Sequence, residues 1–283
     1  MVASDGGSFG RFLWYELMTT DMEAAKAFYA KVVGWGMRDA SMPGMPYTLF
    51  TVGKTSFSGV MNQPGGTGNA GTKPRWMGFV GVDDVDAMTE RARRLGGVVL
   101  LPPTDIPNVS RFSVFADPQA APLALFKWLK AGQEAPPNLS APGRAGWHEL
   151  VTNDCDKALA FYGELFGWQK ADADVVKTGT YQRFSAAGQT IGGMFAKPDW
   201  VPVPLWIFYF TVGDIDSAAM RVKAGGGQIV NGPMEMPSGG WIVECTDPQG
   251  GAFGLIGKRS NKIGFFERTT LRDAADVRSG LRK

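Results

Sequence analysis

Apolar and polar positions near the start of the chain follow two different periods. Residues 12–18 alternate between two faces, with Trp14 and Glu16 on the same face, which predicts a β-strand. From Met22 to Val32, apolar residues recur at steps of three and four, as on one face of an amphipathic helix. Gly34 follows at a position where a residue without Cβ commonly ends a helix. The segment therefore predicts a strand followed by a helix.

Short alternating segments continue this pattern through the first half of the chain. Three strands are predicted after the helix, and a glycine-rich connector at 63–74 separates them from a second unit of the same kind. The further predicted elements are the strands Gly36–Asp39, Tyr47–Val52, Phe57–Asn62 and Trp76–Val82, the helix Val85–Leu95, and the strands Val98–Leu101, Ser110–Ala116 and Leu123–Trp128. Each unit has the order βαβββ.

The second half of the chain repeats the first. Trp14 corresponds to Trp147 and Glu16 to Glu149 at an offset of 133 residues, and the second unit repeats at an offset of 130. A repeat of this length indicates a duplicated domain, because solenoid repeats are much shorter. The predicted boundaries are 11–128 for the first domain, 129–145 for a proline- and glycine-rich linker, 146–257 for the second domain and 258–283 for a tail.

Composition limits which kinds of partner the protein can have and in which cell compartment it is expected. The chain has 283 residues, of which 44% are hydrophobic and 12% aromatic, enough for two cores. A net charge of +2 argues against nucleic acid or an anionic membrane as the main partner, and no apolar run is long enough to span a bilayer. The polar first residues do not resemble a signal peptide. Two cysteines far apart indicate reduced thiols, so we expect a cytoplasmic protein.

His148 is the only histidine in the chain. This count excludes a two-histidine metal site and a histidine-dependent triad in each half. Strand alternation turns His148 to the face opposite Trp147, where its counterpart in the first half is Tyr15. We therefore expect a structural histidine rather than a lone general base. Cys155, at the start of a predicted helix, is expected to pack against the core rather than act as a reactive thiol.

Several short motifs recur in both halves. T-x-D leads into the first helix, which carries F-Y and ends before G-W; V-x-D-x-D leads into the second helix; and a D-P-Q turn joins the last two strands. Together with four βαβββ units, these motifs resemble the vicinal oxygen chelate (VOC) superfamily, which includes glyoxalases, bleomycin-resistance proteins and extradiol dioxygenases. The resemblance implies an α+β fold of two tandem glyoxalase-like (VOC) domains, each with cup-shaped mixed sheets.

The resemblance also implies where a metal would bind. Metal-dependent members place their ligands, usually His or Glu, on the first and last strands of each unit. The matching positions in this sequence are Trp14 and Trp147, Val60 or Met61 and Gly193 or Met194, Met77 and Ile207, and Ala124 and Gly254. None of these is an imidazole, thiolate or carboxylate, and divalent metals need such donors. We therefore expect no metal and no other cofactor in either half.

The Trp-x-Glu segment of each first strand supplies the candidate binding residues. One interpretation is an aromatic platform for a flat or hydrophobic ligand, with a carboxylate that fixes one polar or cationic group. The other is that the tryptophans fill the space left by the metal and the two glutamates pair at the domain interface. The candidate ligand-binding residues are Trp14, Glu16, Met61, Met77, Trp147, Glu149, Met194 and Ile207, and the candidate catalytic residues are Glu16 and Glu149.

The two halves differ where a pocket is expected. The first-half residues Phe79, Arg111 and Val114 correspond to Tyr209, Trp241 and Glu244. Tyr47 and Tyr181 recur in matching strands, and we expect them to pack in the core or on the cup wall, with donation of a hydroxyl to a ligand as the alternative. Both cups therefore stay candidates.

Three functional hypotheses follow. The first is a protein that binds a small hydrophobic or aromatic molecule in its Trp-lined cups without metal, as drug-sequestering members of the superfamily do. The second is a metal-dependent glyoxalase-type lyase, isomerase or dioxygenase. The third is a metal-independent enzyme in which the apolar cup raises the pKa of Glu16 or Glu149, so that it acts as a base. We expect a monomer or a homodimer, since four fused units can satisfy within one chain what single-domain members need a dimer for.

Overall fold

The computed structural model describes residues 8–63, 73–130, 141–176, 179–236 and 239–260. The predicted connector, linker and tail lie largely outside these residues. The elements of the first half are β1 (Phe12–Thr19), α1 (Met22–Val33), β2 (Gly36–Asp39), β3 (Thr48–Val52), β4 (Thr55–Asn62), β5 (Arg75–Gly81), α2 (Val85–Arg94), β6 (Val98–Ile106), β7 (Ser110–Ala116) and β8 (Pro122–Trp128). This is the predicted βαβββ order, twice.

The second half has the same order of elements. They are β9 (Ala145–Thr152), α3 (Cys155–Phe166), β10 (Gln169–Val176), β11 (Gly179–Ala186), β12 (Gln189–Ala196), β13 (Leu205–Asp214), α4 (Ile215–Ala224), β14 (Gln228–Glu235), β15 (Trp241–Thr246) and β16 (Ala252–Lys258). None of the described helices is long and apolar enough to cross a membrane.

Strand β6 is longer than the sequence pattern predicts. The prediction stopped at Leu101, whereas the strand continues through Pro102 and Pro103 to Ile106. β6 is the edge of its sheet and pairs with β7 alone. Prolines lack the backbone N–H of a ladder, and an edge strand tolerates this on its unpaired side.

Each half forms one mixed eight-stranded sheet. The strand orders are β2-β3-β4-β1-β5-β8-β7-β6 and β10-β11-β12-β9-β13-β16-β15-β14. In the middle of the first sheet, β1 runs parallel to β4 and antiparallel to β5, and β9 has the same relation to β12 and β13. The first strand of each half is therefore central in its sheet. One face of it packs in the core that the halves share, and the other face packs in a smaller cluster of its own half.

The ends of the first helix in each half are fixed by the repeated motifs. The carboxylate of Asp21 accepts a hydrogen bond from the Ala24 N–H at 3.0 Å and caps α1, and Asp154 caps α3 in the same way. Gly34 ends α1 with φ 87°, a left-handed conformation that favours glycine, and Gly167 ends α3 with φ 71°. The predicted end of the first helix at Gly34 is confirmed.

The two halves share one large apolar core. It contains the inner faces of the helices and one face of each sheet, including Phe28, Trp35, Trp168 and Phe208. A β-bulge between Phe12 and Trp14 also turns Phe12 into this core, which breaks the strict alternation of the first strand.

Hydrogen bonds cross the interface in symmetric pairs. The Tyr29 hydroxyl donates to Asp247 at 3.0 Å, and the Tyr162 hydroxyl donates to Asp117 at 3.0 Å. The other shared contact is made by the tryptophan of each G-W pair: Trp35 donates to the Gly143 carbonyl at 2.8 Å and Trp168 to the Gly10 carbonyl at 2.6 Å. The F-Y, G-W and D-P-Q motifs therefore hold the halves together.

Candidate functional site

The sheet face turned away from the shared core forms a cup in each half. Cup 1 is the apolar cluster of Trp14, Met77, Phe79, Ala124 and Phe126, with Glu16 beside it. Cup 2 is the corresponding cluster in the second half: Val151, Val201, Ile207, Tyr209, Ile242 and Trp147, with Glu149 beside it. The predicted cup positions Trp14, Met77, Trp147 and Ile207 all lie in these clusters, and Met61 pairs with Met18 on the cup-1 face.

Met194 was placed on the wrong face by the sequence. It pairs with Leu150, is fully buried and belongs to the shared core rather than to cup 2. Its neighbour Phe195 packs in cup 2 instead. The third and fourth strands repeat at an offset of 134, as Tyr47 and Tyr181 show, so the predicted counterpart was one residue early. A shift of one residue turns a strand side chain to the opposite face.

In cup 1, a tyrosine joins the tryptophan to the glutamate. The Tyr47 hydroxyl donates to Glu16 Oε2 at 2.9 Å and accepts a hydrogen bond from Trp14 Nε1 at 3.3 Å. Loss of hydration raises the pKa of Glu16 to about 7, while the bond from Tyr47 opposes this shift. The carboxyl group therefore titrates near neutral pH inside an aromatic cup.

In cup 2, two carboxyl groups share one tyrosine. The Tyr209 hydroxyl lies 2.5 Å from Glu149 Oε2 and 3.5 Å from Glu244 Oε1. Trp147 Nε1 donates to the Tyr181 hydroxyl at 2.7 Å, as its counterpart does in cup 1. Burial and then the negative charge of Glu244 raise the pKa of Glu149 to about 7, and burial also raises the pKa of Glu244.

Glycines make room for these tyrosines on the sheet. A Cβ atom on Gly59 would overlap the Tyr47 hydroxyl, and one on Gly193 would overlap the Tyr181 ring. Gly254 on β16 pairs with both Tyr209 and Glu244, whose strands lie on either side of it, and a Cβ there would overlap the Tyr209 ring. The tyrosines therefore lie flat over glycines and deliver their hydroxyls to the glutamates.

The sequence had favoured packing as the role of Tyr47 and Tyr181. The structure gives both hydroxyls a polar partner as well. The signal for this contact was a tyrosine and a glycine that recur in neighbouring strands of both halves. It can be interpreted only when the residues that pair across the strands are known.

Glu16 and Glu149 do not pair at the domain interface, which corrects one of the two interpretations of these residues. Each carboxyl group lies on the cup face of its own sheet and bonds to a tyrosine of its own half.

His148 lies in the shared core and in neither cup. Its Nδ1 is 2.7 Å from the Ile191 carbonyl oxygen, and its Nε2 is 2.6 Å from the hydroxyl of Tyr15, its own counterpart in the repeat. A carbonyl only accepts, so Nδ1 carries the hydrogen and Nε2 accepts from Tyr15. Burial lowers the pKa of His148 to about 4, so it stays neutral at physiological pH.

The cysteines offer no activated thiol. Cys155 and Cys245 are both free, and burial raises the pKa of each. Cys155 packs against the shared core, as the sequence predicted.

The donor set of the cups does not fit the metal site of metal-dependent superfamily members. Such sites commonly use three or more protein donors. Within the described ranges, no group of three or more histidine, cysteine, aspartate or glutamate side chains is placed to hold a metal ion. Cup 1 offers Glu16, and cup 2 offers Glu149 and Glu244.

The chain contains two mixed sheets, each built from two βαβββ units, and each sheet carries an aromatic cup. This is an architecture of two tandem domains of the same fold. Comparison with known families agrees: residues 11–122 and 144–255 both match the model of the Glyoxalase/Bleomycin resistance protein/Dioxygenase superfamily. The chain belongs to this superfamily.

Curated relatives span nearly the whole chain. This chain is 33% identical over 246 residues to "Putative glyoxylase CFP32" of Mycobacterium tuberculosis, and the match covers 86% of this chain and 93% of the relative. It is 30% identical over 256 residues to "Anthracycline biosynthesis protein DnrV" of Streptomyces peucetius, with coverage of 86% and 91%.

Solved structures share the fold at low sequence identity. The 2,3-dioxygenase LapB from Pseudomonas sp. KL28 aligns with a TM-score of 0.63 at 11% identity, over 89% of this chain and 93% of that one. The Mn(II)-bound glyoxalase from Novosphingobium aromaticivorans also aligns with a TM-score of 0.63, at 14% identity, over 89% and 83%.

Proposed function

We propose that this protein binds a small hydrophobic or aromatic molecule in its tryptophan-lined cups, without a metal ion. The observation that carries the proposal is the Trp–Tyr–Glu arrangement of each cup, in which an aromatic surface lies beside a carboxyl group that bonds to a tyrosine. Mostly apolar pockets with a few convergent polar groups are typical of small-molecule sites.

The replacement of metal ligands supports the metal-free form of this proposal. Where the resemblance expects ligands on β12 and β16, the chain has Gly193 and Gly254, and tyrosine rings cover them. The hydroxyl of Tyr209 then bonds to the carboxyl group of Glu149. Glycine therefore stands at both expected ligand positions, and the nearby carboxyl group of Glu149 is hydrogen-bonded to a tyrosine.

A metal-independent enzyme is the second candidate, because the pKa of Glu16 and of Glu149 is raised to about 7. A carboxylate that titrates near neutral pH suits proton abstraction from a bound substrate. This candidate uses the same residues as the binding function and differs from it in turnover.

The name of one relative agrees with an aromatic ligand. The Streptomyces relative is named for anthracycline biosynthesis, and an anthracycline is a fused-ring aromatic compound. A flat ring system of that kind suits stacking on an indole face.

Two expectations about the setting accompany the proposal. With both cysteines free, we place the protein in the cytoplasm. With the halves joined through Tyr29 and Tyr162, we expect a monomer, since the interface is already formed within one chain.

A native mass spectrum of the protein as purified, before dialysis or chelation, tests the proposal first. Extra mass of small-molecule size that is lost on denaturation supports it, whereas a stoichiometric divalent ion contradicts the metal-free assignment. Binding of the released molecule is then measured with Trp14→Ala and Trp147→Ala. Unchanged affinity in both variants would show that the cups are not the binding site.

A further inference from the structure

The two cups are filled to different extents. In cup 1, Trp14 is 8% exposed and meets Trp128 edge-on, with ring centroids 5.8 Å apart. Trp128 in turn packs against Phe126 at 4.6 Å. The tryptophan of cup 1 is therefore covered by residues of its own half.

In cup 2, the corresponding tryptophan, Trp147, is less covered than Trp14. The residue that matches Trp128 is Lys258, and among the described residues no aromatic ring packs against the ring of Trp147. Trp147 is partly exposed, whereas Trp14 is buried. An aromatic surface that the described residues leave partly exposed is available to a ligand.

Cup 2 also carries two acidic groups close together. One hydroxyl oxygen, that of Tyr209, reaches both Glu149 and Glu244, at 2.5 Å and 3.5 Å. No lysine or arginine in the described ranges forms an ion pair with either glutamate, and neither pKa is shifted by a positive charge. Cup 1 has Phe79 and Val114 at the positions of Tyr209 and Glu244, so its only carboxyl group among the described residues is Glu16.

The hydroxyl of Tyr209 leaves acceptor capacity on these carboxyl groups. It has one hydrogen, which the 2.5 Å contact assigns to Glu149. Glu244 is left with the 3.5 Å contact and a hydrogen bond from Asn231. An ionised carboxylate accepts about four hydrogen bonds, so Glu244 has sites left for a donor from a ligand.

We propose that cup 2 is the ligand cup and that its ligand is an arylalkyl amine, an aromatic ring that carries an aliphatic amino group, bound as the ammonium ion. The aromatic ring stacks on the exposed part of Trp147, and the ammonium group donates to Glu244 and Glu149. This inference rests on the proposed binding function and adds the cup and the chemical class of the ligand. Ammonium supplies the positive charge that the described surroundings of the two glutamates lack.

A matched pair of probes tests the inference on the full-length protein. The probes are 2-(1-naphthyl)ethylamine and 2-(1-naphthyl)ethanol, which share a ring and a chain length and differ in charge at pH 7.5. Isothermal titration calorimetry is expected to show at least about tenfold tighter binding of the amine. Glu244→Gln is expected to reduce this preference to less than about threefold.

Two further variants complete the design. Glu235→Gln is the matched control, because Glu235 is an exposed glutamate on β14, and it is expected to keep the full preference. Glu244→Val introduces the residue that cup 1 tolerates at the same position, Val114, and tests the inference again if the glutamine variant does not fold.

Three results would overturn the inference. If the alcohol binds as tightly as the amine, the ligand class is wrong while binding of an aromatic molecule stands. If the amine is preferred but both Glu244 variants keep the preference, Glu244 does not bind the cation, and the two-glutamate site is wrong. If neither probe binds up to about 1 mM, the inference fails, and the native mass spectrum decides separately whether the binding function fails with it.

Discussion

In cup 1, the strand positions beside the central glutamate hold Phe79 and Val114, whereas in cup 2 the same positions hold Tyr209 and Glu244. The two cups have the same framework and the same Trp–Tyr contact, but one is filled by its own aromatic residues and the other contains two acids. At the shared core, by contrast, Tyr29 and Tyr162 make the same hydrogen bond in both halves. The residues of the interface are alike in the two halves, whereas the residues inside the cups differ. The interface needs matching residues because each half bonds to the other there, and the cups have no such requirement.

Gly254→Ala should break the comparison most strongly. The new Cβ overlaps the buried Tyr209 ring, whereas cup 1 already has Ala124 beside Phe79. We expect the free energy of unfolding to fall by about 2 kcal/mol, measured by urea denaturation. The control Ala124→Gly should cost about 1 kcal/mol, since it opens space without overlap. A Gly254→Ala variant as stable as the wild type would show that Tyr209 does not depend on the glycine.

Tyr29→Phe and Tyr162→Phe test whether the interface is as symmetric as it looks. Each variant removes the hydrogen bond to a buried aspartate of the other half and also the bond that the same hydroxyl accepts from Trp76 or Trp206. We expect each to lower the free energy of unfolding by about 1–2 kcal/mol. The prediction is that the two losses agree; a loss confined to one variant would contradict it.

The pH dependence of stability should differ between the two cup glutamates. Burial raises the pKa of Glu149 to about 7 in the folded protein, above its ordinary value of 4.5. The folded state then holds one more proton on Glu149 than the unfolded state does between these values, so the contribution of Glu149 to stability is fully present below pH 4.5 and is lost as the pH rises toward 7. Glu149→Gln should therefore be more stable than the wild type at pH 8 by about 1 kcal/mol, and the difference should shrink at pH 4.5.

Glu16→Gln should show the same trend with a smaller amplitude, because Glu16 is more exposed and has no second carboxyl group beside it among the described residues. Urea denaturation across the pH range measures both, with Glu235→Gln as the control that keeps the wild-type slope. Equal slopes for the wild type and Glu149→Gln would contradict the prediction.

Trp128→Ala sharpens the comparison at the level of binding. Removing this ring exposes more of Trp14, so that it resembles the partly exposed Trp147 of cup 2. We expect a weak second site, so that the stoichiometry of 2-(1-naphthyl)ethanol measured by calorimetry rises from one to two per chain. A stoichiometry of two in the wild type would show instead that cup 1 is already open.

Most of the framework could be predicted from the sequence. The change from alternation to a helical period, the capping aspartates and Gly34 gave the βαβββ units and their repetition, because these signals are local. The length of β6 could not be predicted, because its prolines are tolerated only at a sheet edge, and edges are a property of the whole sheet.

The candidate site was predicted less completely. Alternation placed Trp14 with Glu16 and Trp147 with Glu149 on one face of each first strand, and the resemblance to the superfamily identified that face as the cup. Met194 could not be placed correctly, because one extra residue before its strand changed the face. The contact of Tyr209 with Glu244 also escaped, although both substitutions were visible, because the two side chains meet across Gly254 from strands that are not neighbours.

The reciprocal bonds of Tyr29 and Tyr162 have a consequence for how the protein comes apart. In each half, the tyrosine of the first helix bonds to the aspartate in the D-P-Q turn of the other half. Neither half therefore has all of its hydrogen-bond partners without the other. The halves are in effect subunits of an obligate dimer that are covalently tethered. Their association is intramolecular, so we expect one cooperative melting transition whose midpoint does not change with protein concentration.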